Sequence, residues 1–229
     1  MKLNETQIQH LYTFTKNHFV EHYDLQTELV DHLANDIEAM WQEQPQLSFE
    51  EAKTKAFKKF GIFGFMEPIE QKQKAMSKRY RRYLLVELKK WFAVPQIVIT
   101  LALFLFFYYT FSTVYVEYLS VIFYIIIAIW CGYKSWQLNR IFKRRKEKSN
   151  KKWMLEDMIF KQAGGITGLF LSQLFNVISI SDTSLNNKYA ILAFALLFTF
   201  LVLINYISLE LLPNKAEKLI NETYPEFSL

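Results

Sequence analysis

The chain has 229 residues, 52% of them apolar and 17% aromatic, with a net charge of +5 and one cysteine, Cys131. A single thiol closes no disulfide within the chain and builds no cysteine metal cluster. The basic excess gathers beside apolar stretches, which points to anionic headgroups rather than nucleic acid. A mean hydropathy near zero averages two unlike parts. Residues 1–90 carry fourteen Lys/Arg and thirteen Asp/Glu, whereas no charge lies between Lys90 and Glu117.

The first thirty residues are polar and lack the apolar core of a signal peptide, so the amino terminus is expected in the cytosol. Asn4 and Gln7 read as an N-cap with its capping-box partner. Ile8, Leu11, Tyr12, Thr15, Phe19 and Tyr23 recur at three- and four-residue steps, predicting a helix over 5–22. Asp24 is placed to cap a second helix, whose stripe is Leu25, Leu29, Leu33, Ile37 and Trp41, with Pro45 as its stop. Ser48 and Glu51 form another capping box. Ala52, Ala56, Phe57 and Phe60 make a third apolar face that ends at Gly61. These patterns predict a small cytosolic helical bundle over 1–65. Residues 62–66 are apolar but too short to span a bilayer, and are expected to plug the bundle or touch a membrane surface. A basic helical stem over 66–90 follows, with Pro68 in its first turn. Arg79, Arg81 and Arg82 are expected to lie against anionic lipid, each worth about 1 kcal/mol.

Four apolar segments come next, at 91–113, 117–136, 159–180 and 189–212, each long enough for a hydrocarbon core of about 30 Å. Ten Lys/Arg fall between Lys134 and Lys161, including Lys143, Arg144, Arg145 and Lys146, against three acidic residues. The connections 112–117 and 181–188 hold almost no positive charge. Positive loops remain in the cytoplasm, so both termini and the basic loop are predicted inside. Trp91, Tyr108, Tyr109, Tyr115, Trp130, Tyr133, Trp136 and Trp153 fit interfacial belts. Pro213 ends the last span, and 214–229 is read as a polar cytosolic tail. The expected fold class is thus all-α: a cytosolic bundle followed by a four-helix transmembrane domain.

Candidate sites are few. His18 and His22 are four apart and could share a helix face as a two-His zinc site with an acid such as Glu21 or Asp31, but the spacing is common by chance and no Cys or His elsewhere completes a shell. Glu28, Asp31, His32 and Asn35 decorate the second helix and read as a partner-docking surface. In the third segment Gly164, Gly168 and Ser172 repeat at four-residue steps, the pattern that lets membrane helices approach closely. Gln173 and Asn176 add polar groups there, and Asn205 in the fourth segment is a possible partner. Together these six are expected to pack transmembrane helices, within one chain or between copies. The sequence has no phosphate loop, nucleophile elbow or zinc-protease helix, so no catalytic residue, metal or cofactor is predicted and the chain is read as a non-enzyme.

Glu28-x-x-x-His32-Leu33, Ile37-Glu38, Ser48-x-Glu50-Glu51-Ala52, Ala56 and Phe60-Gly61 together resemble the HAAS-type and permease-prefix domains. These are cytosolic N-terminal helical domains of bacterial membrane proteins often encoded beside PadR-like transcription regulators. The resemblance covers about a quarter of the chain, and Pro45-Gln46-Leu47 replaces the glycine usual before the capping serine. It implies an inner-membrane protein of signalling or regulatory type, whose acidic head docks a cytosolic protein such as a PadR-like regulator. Direct nucleic-acid binding is not expected of so acidic a head. The alternative is a small oligomeric transporter or channel subunit built around Gln173, Asn176 and Asn205.

Overall fold

A computed structural model describes residues 2–113, 116–148, 151–172 and 188–224. All regular structure among them is helical. The chain divides into two compact units, one of residues 1–78 with 148–157 and the other of 79–147 with 158–229.

The first unit, the head, is built on α1 (Glu5–Asn17), α2 (Tyr23–Glu43) and α3 (Phe49–Lys58), joined by the start of α4 (Met66–Lys90). α2 packs against both α1 and α3. The two capping boxes form as the sequence predicts: Asn4 with Gln7, and Ser48 with Glu51, each satisfy orphan amides in both directions. The α2 stripe of Leu25, Leu29, Leu33, Ile37 and Trp41 is buried, and Leu11, Ala52 and Ala56 close the core around it. Trp41 Nε1 donates to the Leu47 carbonyl at 2.9 Å, which fixes the α2–α3 turn.

α1 stops five residues before the predicted end. Phe19 takes a left-handed conformation with φ 65°. The Val20 amide reaches back to the Thr15 carbonyl and the Phe19 amide to that of Lys16, both at 3.2 Å. That is a Schellman stop with phenylalanine where glycine is usual. Because the helix ends at Asn17, His18 and His22 do not share a helix face. Asp24 does not cap α2 either. His22 holds that place without a side-chain bond, and the Asp24 carboxylate accepts the Met154 amide at 3.2 Å. It therefore caps α7 (Met154–Leu171), 130 residues away.

The second unit holds the rest of α4, then α5 (Gln96–Phe111), α6 (Val116–Lys148), most of α7 and α8 (Lys188–Tyr206). α8 runs on through a π-helical stretch, Ile207–Leu211, and a turn, Leu212–Asn214, before α9 (Ala216–Thr223). α5 packs on α8, with Phe107 and Phe111 at 5.6 and 5.1 Å from the Phe198 ring. Tyr80 and Ser208 share a buried hydrogen bond of 2.8 Å. Lys215 binds Glu87 at 2.8 Å, and buried Ala216 and Ile220 give α9 an apolar face. The segment expected to be a polar tail thus carries a packed helix.

Among the described residues, two helical stretches are long and apolar enough to cross a membrane, Tyr118–Arg145 and Lys188–Asn214. They cover the second and fourth expected spans. The first expected span, 91–113, is interrupted: Pro95 lacks the amide a helix interior needs, and α5 begins only after it. Its 16 residues extend about 24 Å. The third expected span, 159–180, is described only as far as Ser172.

Candidate docking surface of the head

Glu28, His32 and Asp36 lie four residues apart along α2, so they form one row. α4 passes beside that row and places Lys72 Nζ 2.7 Å from Glu28. Lys59, at the end of α3, meets Asp36 at 2.7 Å. Between the two ion pairs runs a groove of about 550 Å³, with Leu25, Leu29, Phe60 and Ala75 in its lining. His32 is exposed on its wall. The pairs are partly solvated, so each is worth at most about 1 kcal/mol. A partner bearing its own charges can exchange with them at little cost.

Of the residues singled out in the sequence, Glu28 and His32 line this groove and Asp31 and Asn35 do not. Asp31 and Asn35 are exposed. Asp31 stands on the Tyr12 side of α2, where burial first, and then the charges of Tyr23 and Asp31, push the Tyr12 hydroxyl up. Lys59 and Lys72, which complete the rim, carry no local signal: a lysine at a helix end or in a basic stem looks the same whether it is paired or not.

The groove ends at Phe60 and Pro68, next to the apolar loop 62–66. Phe65 is buried there, its ring 4.9 Å from both Phe57 and Phe60. Phe14 and His18 add their rings at 6.2 and 6.0 Å. The residues beside it point outward: Ile62 is 98% exposed, Phe63 76% and Met66 67%. Because the His18 ring reaches Phe65, the turn holding Phe19, 87% exposed, stands at the same end of the bundle. The tip thus sets an exposed aromatic in the left-handed region beside three further exposed apolar side chains.

The backbone of the tip predicts two substitutions of opposite sign. Gly64 has φ +54°, and a Cβ there would stand 2.8 Å from Phe57 Cζ, inside a ring cluster that cannot yield freely. Gly64→Ala is expected to lower head stability by about 1–3 kcal/mol. Phe19→Gly relieves an L-residue in the left-handed region and is expected to raise it by about 1 kcal/mol. Thermal melts of the two variants against the parent check both signs.

Residues 151–157 pack against the start of α2 and the turn before it. The Tyr23 amide donates to the Lys152 carbonyl at 2.7 Å. The Trp153 ring meets Tyr23 edge-on at 5.5 Å, and Lys151 Nζ lies 4.5 Å above the Tyr23 ring. Lys152 pairs with Glu21, and His22 Nε2 with Asp157 at 3.2 Å. Part of the basic loop is therefore an integral part of the head.

In the second unit, Gly164 comes closest to α6: a Cβ there would touch Ser135 Oγ at 3.5 Å, while one at Gly168 would meet nothing within 4 Å. Ser172 is exposed. Gln173 and Asn176 lie outside the described residues. Asn205 is fully buried and gives its amide to the Leu201 carbonyl at 2.9 Å. Its Oδ1 has no hydrogen-bond partner among the described residues. Arg79, Arg81 and Arg82 are exposed on α4, as are Lys143 and Arg144 on α6, with Arg145 half-buried. The side chain of Lys146 lies outside the described residues.

No family model matches the chain, and comparison with curated proteins and with solved structures finds no match.

Proposed function

We propose that this chain is a membrane-anchored docking protein. Its head binds a cytosolic protein, and its apolar helices form a four-span anchor with both termini on the side of the basic loop. The observation that carries the reading is the continuous surface of groove and apolar tip on the head. A charged rim of exchangeable ion pairs borders an apolar floor, and Ile62, Phe63 and Met66 extend that floor into solvent. Residues 1–70 hold six basic and twelve acidic side chains, so the complementary partner has a basic rim around an apolar centre. Glu28, His32 and Asp36 lie at that contact, with Asp31 and Asn35 on its flank. The HAAS-like pattern nominates a PadR-like regulator as the partner and regulatory signalling as the role. The exposed arginines of α4 and the basic run of α6 would hold anionic headgroups at the cytosolic face.

The test is a titration of the purified full-length chain in detergent with a PadR-like regulator, at low and high salt. Saturable binding that weakens with salt is expected. Phe63→Ser removes an exposed anchor without touching the core, and is expected to weaken binding at least about tenfold. Glu28→Lys with Asp31→Lys is expected to slow association. Absence of binding, or binding indifferent to salt and to both variants, overturns the reading. Reporter fusions after Asn150 and after Leu229 should read cytoplasmic, and one between Asp182 and Asn187 extracytoplasmic; an external reading at Asn150 overturns the orientation.

A further inference from the structure

A groove runs between α6 and α7. It encloses about 500 Å³ and runs from Phe142, Phe160 and Lys161 at one end to Gly132, Gly168 and Leu171 at the other. The two ends differ in chemistry. At the first, Asn139 and Lys161 line the wall, and the Arg140 guanidinium lies 5.6 Å over the ring of Trp136, itself a lining residue. Lys143 and Arg144 follow on α6. None of the described lining residues is acidic. At the second end the groove exists because side chains are missing: a Cβ on Gly132 or on Gly168 would have nothing within 4 Å. From Gly132 to Phe142 the helix rises about 15 Å, half of a hydrocarbon core of about 30 Å and so the depth of one leaflet.

We propose that this groove holds one anionic phospholipid from the leaflet that faces the basic loop. The phosphate sits between Lys161 and Asn139, with the cations of α6 at the mouth. An acyl chain follows the glycine-lined floor past Trp136 and Ser135. Charge selects the ligand at the mouth, and the missing side chains at Gly132 and Gly168 admit its chain. The proposal rests on the membrane reading above and assigns the α6–α7 surface a ligand of its own.

The experiment is native mass spectrometry of the full-length chain, exchanged into detergent with equal amounts of dioleoyl phosphatidylglycerol and dioleoyl phosphatidylcholine. Retention of one phosphatidylglycerol per chain, at least about tenfold over phosphatidylcholine, supports the proposal. Lys161→Gln should abolish the preference. Gly168→Leu fills open space, so it should abolish retention while the melting temperature holds. Equal retention of the two lipids overturns the proposal, as does parental retention in both variants. So does loss of a crosslinked dimer in Gly168→Leu, which would give the groove to a second copy. Alkaline carbonate extraction separates the two levels. A chain that stays in the membrane without lipid preference fails this proposal alone, and a chain released by carbonate fails the membrane reading beneath it.

Discussion

Leu33→Ala should loosen the head from its centre. Leu33 is fully buried, midway along the α2 stripe, where α2 packs against α1 and α3. Truncation removes its transfer energy and leaves a cavity, at a cost of about 2–5 kcal/mol. Small domains have roughly 5–15 kcal/mol in total, so the loss is a large share. Hydrogen exchange of the α2 amides in the full-length chain reads it locally. Exchange should accelerate roughly thirty- to several-thousand-fold, the same energy expressed as an opening equilibrium. Unchanged α2 protection would show that the stripe is not the core of this unit.

Trp153→Ala should detach the basic loop from the head. The indole is almost fully buried and holds Tyr23 by an edge contact, beside the amide of Tyr23 that binds Lys152. Deleting a buried tryptophan costs about 3–5 kcal/mol. Each 1.4 kcal/mol is tenfold, so the open state should rise at least about a hundredfold. Trypsin supplies the readout, since the Lys152 carbonyl is held by the Tyr23 amide and cleavage after Lys152 is favoured when this segment leaves the head. Cleavage after Lys152 should accelerate by that factor. A rate equal to the parent's would mean that the loop is held by something other than Trp153.

What the sequence made legible is what has a short period. Asn4 and Ser48 announced their caps because a capping box spans three residues, and Leu25 to Trp41 announced the core because burial on a helix repeats every three or four. The misreadings share a cause in distance. Phe19 continued the apolar spacing of α1, yet a Schellman stop turned it outward. Asp24 looked like a local cap, but its carboxylate serves an amide 130 residues away. The rim of the groove needs Lys59 and Lys72, which no pattern on α2 can indicate. The apolar helices show the complementary case. Hydropathy located α6 and α8, but Pro95 shortened α5, and composition alone did not reveal that the final residues carry the buried face of α9.

The head is not one stretch of chain. Residues 148–157 belong to it, yet they are translated only after α5 and α6. While the ribosome is still making those helices, the contacts of Tyr23 with Lys152 and Trp153 and of Asp24 with Met154 are not yet made, and the first 78 residues exist as an unfinished domain. The head therefore closes only on a chain that has already produced α5 and the long apolar helix α6. By the same logic the head cannot be moved between proteins as an N-terminal cassette. A graft of residues 1–78 would carry the groove and the tip but leave the Tyr23 face bare.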